Sequence, residues 1–292
     1  MSIVKSISVG NGDMFYIKHD SDNFTIIDCC INQFKDDKII NQLITESNGK
    51  GIKRFISTHP DDDHIRGLAY LYQKMNILNF YCVKNEATKK IITDDFKKYC
   101  ELRDSNKVFF IEKAVRRKWM NLDDSVRGSS NIEILWPLVL NEFYINALSS
   151  AKNGDSPNNI SPIITYSDKS GGKFMWMGDL DTEFLVQIEP DIDIPKIDIL
   201  FAPHHGRDSG KIPEEYLQIL EPKIIIIGEA PSEHINYYSN YNTITQNSAG
   251  DIIFSISNGV IDIYVSNKNY TVNFLENKNK SEFENYIGSV TI

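Results

Sequence analysis

Short alternating runs of apolar and polar residues dominate the beginning of the chain. Three of them have the pattern of β-strands, at residues 3–9, 14–17 and 24–27. Between residues 34 and 46 the apolar side chains instead recur every three or four positions, which is the spacing of an amphipathic helix. A strand at 54–57 and a helix that begins near residue 65 follow. This part of the chain therefore predicts a β-hairpin followed by alternating helices and strands.

The same kinds of pattern continue to the end of the chain. Further strands are predicted at 80–83, 108–111, 131–136, 163–166, 173–177, 197–201, 224–227 and in the alternating tail from residue 251. Helices are predicted at 87–102, 182–188 and 213–220, and a loop rich in Asn, Ser, Gly and Pro at 146–162. Two sheets with helices outside are the simplest packing of these elements. We expect one domain over residues 1–292, with an inserted helix and strand region at about 85–130.

The composition indicates a soluble globular protein, because 41% of the 292 residues are apolar and can form a sizeable core. The N-terminus has no basic region followed by an apolar stretch, and no window reaches the roughly 18 apolar residues of a membrane span. We therefore expect a cytoplasmic protein without a membrane partner. The net charge of −9 argues against a broad electrostatic grip on a nucleic-acid duplex, although bound divalent metals would reverse the field locally.

The cysteines and one histidine are expected to have no catalytic role. Cys29, Cys30, Cys82 and Cys100 show no C-x-x-C spacing. One adjacent pair and two scattered thiols do not form the pattern of a disulfide framework, so we expect reduced and mostly buried thiols. His19 lies in the polar turn of the first hairpin, where we expect it to be solvated.

Acidic and imidazole side chains follow three of the predicted strands. They are the sequence His59-Pro60-Asp61-Asp62-Asp63-His64, then Asp179 after Gly178, and then His204-His205. An Asp after a strand is often only a turn residue or a helix cap, and a His in a loop is usually solvated. Four of the six histidines, however, fall within two of these motifs. Imidazole and carboxylate groups together are typical ligands of zinc, manganese or iron, and they favour an open hydrolytic site.

This set of motifs resembles the metallo-β-lactamase fold and, within it, the soluble hydrolase domain attached to the competence protein ComEC and its free-standing relatives. The matching stretches are 9–13, 26–28, 57–67, Asn159 with Ser161, 177–179, 202–206 and 245–252. The wider fold usually has the first motif His-x-His-x-Asp-His, and the ComEC-like branch has an Asp where Asp61 stands. For nearly the whole chain, the resemblance implies an α+β fold that is a four-layer αββα sandwich.

The resemblance also implies two divalent metal ions, zinc or manganese, close to each other. The implied ligands are His59 and Asp61 for the first metal, Asp63, His64 and His204 for the second, and Asp179 between them. In much of the fold the first metal has a third His, but this chain has no His between residues 64 and 204. Asn159, Ser161 or water would have to replace it, which favours manganese over a pair of zinc ions.

Catalytic roles are implied for further residues. The two metals would generate a bridging hydroxide that attacks phosphorus or a carbonyl carbon, and Asp63 would orient it. His205 would contact the substrate or protonate the leaving oxygen, unless it is itself the ligand in place of His204. His234 lies where the ComEC-like branch has a polar loop near the substrate. Asp28 lies where the fold usually has an Asp that braces the metal loop.

We expect a metal-dependent hydrolase, in the first place a phosphodiesterase or nuclease that acts on nucleic acid or nucleotides. The alternative substrate is a carboxylic ester, lactone or thioester, since the same fold hosts that chemistry. A third possibility is a catalytically degenerate binding module in a larger assembly. The basic residues Lys113, Arg116, Arg117 and Lys118 form either a solvated face or a grip for phosphates.

Overall fold

The computed structural model describes residues 1–32, 37–75, 77 and 79–292. The strands are β1 (Ser2–Ser6), β2 (Phe15–Lys18), β3 (Asn23–Ile27), β4 (Cys29–Cys30), β5 (Ile52–Ile56), β6 (Asn79–Cys82), β7 (Val108–Phe110), β8 (Ile132–Trp136), β9 (Ile163–Ser167), β10 (Lys173–Trp176), β11 (Ile199–Phe201), β12 (Ile224–Ile227), β13 (Thr243–Thr245), β14 (Ile252–Ser257), β15 (Val260–Val265) and β16 (Tyr286–Thr291). The α-helices are α1 (Asp37–Glu46), α2 (Asp62–Ile65), α3 (Leu68–Lys74), α4 (Asp94–Arg103), α5 (Glu142–Lys152), α6 (Thr182–Ile188), α7 (Glu214–Leu220) and α8 (Gln246–Ala249).

The strands form two sheets. The first sheet has the order β16-β15-β14-β1-β2-β3-β5-β6-β7, and the second has the order β13-β12-β11-β10-β9-β8. Strands β3, β5, β6 and β7 run parallel to one another, and so do β10, β11, β12 and β13. The carboxyl ends of parallel strands meet at one edge of a sheet. The loops after β3, β5, β10 and β11, which carry the acidic and imidazole motifs, therefore lie at these edges.

An apolar core joins the two sheets. Phe15 of β2 meets Phe201 of β11 edge to face, with ring centroids 4.9 Å apart, and Trp176 of β10 stacks on Phe201 at 4.8 Å. Phe174 and Phe254 form a second contact between the sheets, with centroids 5.6 Å apart. Such aromatic pairs stabilise a core by about 0.5–1.5 kcal/mol each beyond the burial of their surface. The rings hold the sheets face to face.

Helices cover the outer faces. On the first sheet, Leu43 of α1 and Tyr99 of α4 belong to one buried cluster with Phe55 of β5. On the second sheet, Trp136 of β8 contacts Phe184 of α6, with ring centroids 6.0 Å apart. The order of layers is helix, sheet, sheet, helix, and the predicted αββα sandwich is confirmed. Among the described residues, no helix has the length and apolar character needed to cross a membrane.

Two predicted boundaries were wrong. Residues 146–162 were predicted as a loop, but helix α5 runs to Lys152. Asn141 caps this helix by accepting a hydrogen bond from the backbone N of Tyr144 (3.0 Å), and the Tyr144 ring is buried. Helix α4 starts at Asp94 instead of residue 87, since the Thr93 hydroxyl accepts from the backbone N of Phe96 (3.1 Å). The start of the predicted helix at 34–46 falls on residues 34–36, which lie outside the described residues.

The region predicted as an insertion contains α4 and β7. Strand β7 continues the first sheet by pairing in parallel with β6, and Tyr99 of α4 contacts Phe80 of β6 with centroids 5.8 Å apart. These elements are thus part of the sheet and its helical cover. That residues 85–130 are an insertion into the domain stays a prediction.

His19 is buried, and its expected solvation was wrong. Only 2% of the residue is exposed, and its Nε2 lies 2.8 Å from the Thr25 hydroxyl. The ring meets Tyr166 of the second sheet edge to face at 5.1 Å. Burial lowers the pKa of His19 well below its usual value, and the positive charges of Arg54 and Lys50 act in the same direction. The turn packs against the other sheet, and no local pattern reveals such a contact. The four thiols are free and three of them are buried, as expected.

Candidate metal centre

The first motif begins directly after β5, and Asp28 holds its loop in place. Asp28 follows β3, the parallel neighbour of β5, and has a left-handed backbone with φ 56°. Its Oδ1 accepts a hydrogen bond from the backbone N of Thr58 (2.8 Å), and its Oδ2 accepts one from the Thr58 hydroxyl (2.6 Å). Burial raises the pKa of Asp28, while the charge and hydrogen bond of His64 oppose that rise. The Asp28 carboxylate therefore holds the loop in position through Thr58.

The Thr58 hydroxyl fixes the position of the proton on His59. Because the hydroxyl donates to Asp28, it accepts from Nδ1 of His59, which lies 3.1 Å away. A neutral His59 with its proton on Nδ1 has a lone pair on Nε2. This Nε2 is buried and has no hydrogen-bond partner among the described residues. Burial lowers the pKa of His59, and the neighbouring His64 lowers it further, which favours the neutral ring.

His64 lies between two carboxylates. Its Nδ1 is hydrogen-bonded to Asp28 Oδ2 at 2.9 Å, and its Nε2 lies 3.0 Å from Asp179 Oδ1. Neither His64 Nε2 nor Asp179 Oδ1 has a hydrogen-bond partner of good geometry among the described residues. Although burial disfavours the charged ring, Asp179 and Asp28 raise the pKa of His64 well above its usual value. The two carboxylates thus favour a positive charge at this ring, either a proton on His64 or a metal ion at its Nε2.

His205 repeats the arrangement of His64 from the second sheet. Its Nδ1 lies 3.1 Å from Asp13 Oδ1, and its Nε2 lies 3.3 Å from Asp63 Oδ2 and 3.6 Å from Asp179 Oδ2. Burial would lower the pKa of His205, but Asp179 and Asp13 raise it to about 10. A carboxylate behind the ring fixes the orientation of a histidine and increases its basicity toward a metal. Asp28 serves His64 in this way, and Asp13 serves His205.

Asp13 was not among the predicted site residues. Its backbone N donates to the carbonyl oxygen of Asp63 (3.1 Å), which brings the two loops together. A Cβ atom at Gly12 would lie 2.6 Å from the same oxygen and 2.5 Å from Cys30 Sγ. Only glycine allows this approach. The Gly-Asp pair in the first turn was therefore the available signal for this residue.

His204 lies at the edge of the cluster, with 19% of its side chain exposed. Its Nε2 lies 3.7 Å from Asp179 Oδ2, and its Nδ1 lies 2.9 Å from Ser209 Oγ. His204 and His205 have left-handed φ values of 53° and 57°, which cost about 1–3 kcal/mol per residue outside glycine. These dihedrals turn the two rings apart, so that His205 reaches Asp63 while His204 stays at the rim.

Asp179 is the common neighbour of four histidines. Its carboxylate oxygens lie between 3.0 and 3.9 Å from the Nε2 atoms of His59, His64, His204 and His205. Donor atoms bound at about 2.1 Å to a tetrahedral zinc lie roughly 3.4 Å from one another, so these separations suit shared cations. Burial opposes the ionisation of Asp179, but the charges of His64 and His205 lower its pKa well below the usual value.

Asp61 is shared between the cluster and a lysine. Its Oδ2 lies 3.8 Å from His59 Nε2, and its Oδ1 lies 3.1 Å from the Nζ atom of Lys89. Lys89 also pairs with Asp62 at 3.1 Å. Burial raises the pKa of Asp61, and the Lys89 ammonium opposes that rise. The lysine therefore holds a fixed positive charge beside one of the predicted ligands.

The donor set fits divalent metal ions. Three buried atoms lack a hydrogen-bond partner among the described residues, namely His59 Nε2, His64 Nε2 and Asp179 Oδ1. An unpaired buried polar atom costs about 1–3 kcal/mol, which a bound cation would remove. One donor atom from each of Asp13, His64, Asp179 and His205 lies within 4.8 Å of the others. Imidazole nitrogen and carboxylate oxygen are ligands of both zinc and manganese.

Three other residues named from the sequence lie apart from these atoms. The His234 side chain is 57% exposed and pairs with Glu233 at 3.5 Å, and no contact in the described part of the chain joins it to the cluster. Asn159 donates to Asp181 Oδ2 (2.9 Å). Ser161 Oγ contacts Nδ1 of His59 (3.2 Å) on the side of the ring away from Nε2. Neither Asn159 nor Ser161 has a contact that makes it the missing third ligand, and the role of His234 stays a prediction.

Two clefts with an excess of carboxylates in their lining border the cluster. The larger has a volume of about 550 Å³, and its lining includes Ser209, Asp181, Glu183, Asp208 and Lys211. Three carboxylates and one lysine make this cleft acidic. The smaller has a volume of about 300 Å³, and its lining includes Asp61, Asp62, Lys89 and Lys90. Three residues of the basic cluster at 113–118 form ion pairs elsewhere, Lys113 with Asp193, Arg116 with Glu133 and Lys118 with Asp124. Arg117 Nη2 donates to the carbonyl oxygen of Phe110 (3.3 Å).

Comparisons with known proteins bear on this arrangement. The chain matches no protein-family model. It is 22% identical over 236 residues to ComE operon protein 3 of Bacillus subtilis (strain 168), a match that covers 80% of this chain and 27% of that protein. The chain thus spans about a quarter of the length of this curated relative.

Among solved structures, the metallo-β-lactamase fold protein YhfI from Bacillus subtilis is 11% identical, with a TM-score of 0.42 and coverage of 84% of this chain and 96% of that one. A long form RNase Z from yeast is 11% identical, with a TM-score of 0.41 and coverage of 83% and 40%. The order of the sheets, the position of the motifs at their edges and the match to ComE operon protein 3 bear out the resemblance inferred from the sequence. The chain has the metallo-β-lactamase fold and is similar to its ComEC-like branch.

Proposed function

We propose that this chain, a metallo-β-lactamase fold similar to the ComEC-like branch, is a metal-dependent phosphodiesterase or nuclease acting on nucleic acid or nucleotides. One observation carries the proposal. Nε2 of His59, Nε2 of His64 and Oδ1 of Asp179 are buried and lack a hydrogen-bond partner among the described residues, and both histidine nitrogens lie within 3.9 Å of the Asp179 carboxylate. A buried carboxylate surrounded by imidazole nitrogens is stabilised by a cation bound among them. The motif set of the ComEC-like branch is associated with nuclease activity, which favours a phosphodiester substrate.

The proposed ligands form two sets that share Asp179. The first set consists of His59 and Asp61, and the second consists of Asp63, His64 and His205. His205 replaces His204 in the predicted set, because its Nε2 lies 3.3 Å from Asp63 Oδ2 and its other nitrogen contacts Asp13. The first set has fewer protein ligands, so it keeps open positions for water and substrate.

The residues around the proposed metals have distinct tasks. Two divalent ions, zinc or manganese, would lower the pKa of a water molecule and neutralise charge on the phosphoryl oxygens. The Asp63 carboxylate orients the attacking water by accepting a hydrogen bond from it. His204 faces the substrate from the rim, and its Nδ1 lies 2.9 Å from Ser209 Oγ. In the tautomer whose Nδ1 accepts from Ser209, His204 would carry its proton on Nε2. That proton is available to the leaving oxygen.

The test compares neighbouring aspartates of one motif. Protein stripped of metal is reloaded with Mn²⁺ or Zn²⁺ and incubated with bis-p-nitrophenyl phosphate and with labelled single-stranded DNA. Metal-dependent cleavage of either substrate is expected, with a loss of about 100-fold or more in the Asp63→Asn variant. Asp62→Asn is the matched control, because the Asp62 side chain is 55% exposed and contacts Lys89 instead of the cluster. No cleavage of either substrate by the reloaded protein would refute the proposal.

A second candidate function is the hydrolysis of a carboxylic ester, lactone or thioester. The acidic cleft of about 550 Å³ favours it, because Asp181, Glu183 and Asp208 repel a polyanion. The same metal-loaded protein would then hydrolyse a lactone or thioester while leaving both phosphodiester substrates intact. Absence of lactone and thioester hydrolysis would exclude this alternative.

A further inference from the structure

An arginine without an acidic partner lies next to the proposed metal ligands. Arg207 comes two residues after His205, and the described residues place no carboxylate within ion-pair distance of its guanidinium. Its Nη2 donates instead to the neutral side-chain oxygen of Asn11 (2.7 Å). Asn11 belongs to the same turn as Asp13, whose carboxylate contacts His205. The guanidinium is thus fixed beside the second ligand set with its charge uncompensated.

Arg207 also has a buried donor without an acceptor. Its Nε is shielded from solvent and has no hydrogen-bond partner among the described residues. A buried donor left unpaired costs about 1–3 kcal/mol, and more when it carries charge. Because this Nε is closed to solvent, a substrate can reach the guanidinium only through its terminal N–H groups.

We propose that Arg207 binds a phosphate group of the substrate other than the one that is cleaved. This inference rests on the proposed phosphodiesterase function. The charge of the guanidinium has no acidic partner, and its planar terminal N–H groups suit phosphate oxygens. Asn11 positions the guanidinium without neutralising it. The substrate is accordingly a strand or nucleotide with at least two phosphates, and the arginine sets the distance between the bound phosphate and the cleaved one.

The test uses dinucleotides that resist cleavage. Dithymidine with an uncharged methylphosphonate linkage is prepared with a 5′-phosphate, with a 3′-phosphate and with neither, and its Kd for metal-loaded protein is measured by calorimetry. In the wild-type protein, a terminal phosphate at one end is expected to tighten binding about tenfold, which corresponds to one charge-assisted hydrogen bond. The gain should disappear in Arg207→Gln. It should also disappear in Asn11→Asp, because the new carboxylate neutralises the guanidinium without removing it.

The matched control removes one positive charge elsewhere. Lys169 is exposed in the turn between β9 and β10, at the edge of the sheet opposite to the centre, so Lys169→Gln should keep the full gain. A terminal phosphate that gives no gain in the wild-type protein, or a gain that survives in Arg207→Gln, overturns the assignment. Wild-type turnover of bis-p-nitrophenyl phosphate is measured on the same samples. Its absence, together with absence of cleavage of the single-stranded DNA, would refute the phosphodiesterase function, whereas the Kd ratios judge Arg207 independently.

Discussion

Asp13 Oδ1 lies 3.1 Å from Nδ1 of His205, although 192 positions separate the two residues along the chain. The contact orients His205 so that its other nitrogen faces Asp63 and Asp179. On the first sheet, Asp28 does the same for His64 at 2.9 Å. The proposed second metal therefore has two histidine ligands, each supported by a carboxylate.

Removing the charge of Asp13 should weaken metal binding. In Asp13→Asn the side chain keeps its shape but no longer increases the basicity of His205, and we expect a loss of about 10–100-fold in affinity for Mn²⁺ or Zn²⁺. Asp28→Asn should give a loss of similar size through His64. Calorimetry measures the affinity, and circular dichroism confirms that the variants fold. Asp20→Asn, an exposed change in the first hairpin, should bind metal like the wild type, and unchanged affinity in Asp13→Asn would exclude its positioning role.

Lys89 should limit the occupancy of the first ligand set. Its ammonium lies 3.1 Å from Asp61 Oδ1 and opposes a second positive charge at the same carboxylate. In Lys89→Met we expect the weaker of the two Mn²⁺ equivalents to bind about tenfold more tightly, which corresponds to about 1.4 kcal/mol. Titration calorimetry with elemental analysis separates the two equivalents. The neighbouring Lys90→Met, an exposed residue, is the control, and weaker binding in Lys89→Met would mean that the lysine positions Asp61 instead.

His19 should make the protein less stable in mild acid. Burial, Arg54 and Lys50 lower its pKa in the folded state, whereas the unfolded chain has a value of about 6.5. Below about pH 6.5 the unfolded state therefore binds more protons, and the free energy of unfolding falls as the pH falls. Between pH 7 and 5.5 this effect amounts to about 1 kcal/mol for one group.

The slope of stability against pH isolates that contribution. Urea unfolding of His19→Gln at pH 7 and pH 5.5 should show a smaller loss of stability than the wild type, even if the variant is less stable at both values. His234→Gln is the control, because the His234 side chain is 57% exposed and pairs with Glu233 in a surface turn. Equal slopes for His19→Gln and the wild type would disprove the assignment.

Gly178 should be indispensable for the position of Asp179. A Cβ atom there would lie 2.6 Å from Ser161 Oγ and 3.0 Å from Thr58 Cβ, and the residue has φ 53°. Gly178→Ala should therefore lower the free energy of unfolding by about 1–3 kcal/mol from overpacking and weaken metal binding as Asp179 is displaced. Gly49→Ala is the control for backbone strain without a steric clash, since Gly49 has φ 78° and nothing lies within 4 Å of its Cβ position. Equal effects of the two changes on metal affinity would contradict the proposed role of the contact.

Sequence patterns predicted the parts of the site that are local. His59, Asp61 and His64 lie within six residues and follow one strand, so their spacing alone indicated a ligand loop. The distinction between His204 and His205 depends on two successive left-handed φ values, which side-chain chemistry does not encode. Asp13 and Lys89 reach the site through contacts between distant segments. The sequence around Lys89 looks like an ordinary polar loop, and for Asp13 the preceding glycine was the available signal.

Secondary structure was predictable where buried apolar residues follow a regular pattern along the sequence. The four isoleucines at 224–227 form β12 as predicted, because such a run suits a strand buried on both faces. Helix α5 was missed since its Asn and Ser residues favour loops locally, while the buried Tyr144 and Ala151 stabilise the helix only after it packs on the second sheet. His19 was misjudged for the same reason, as Tyr166 covers it from another part of the chain.

The partners of Asp179 come from both halves of the molecule. His64 follows β5 of the first sheet, and His205 follows β11 of the second, with Asp13 from the first sheet behind it. A metal bound to this set would act as a cross-link between the two sheets. Removal of the metal by a chelator should then lower the free energy of unfolding as well as the activity, because the metal no longer joins the two sheets. The chain would be most susceptible to proteolysis while it is newly made and still waiting for its metal.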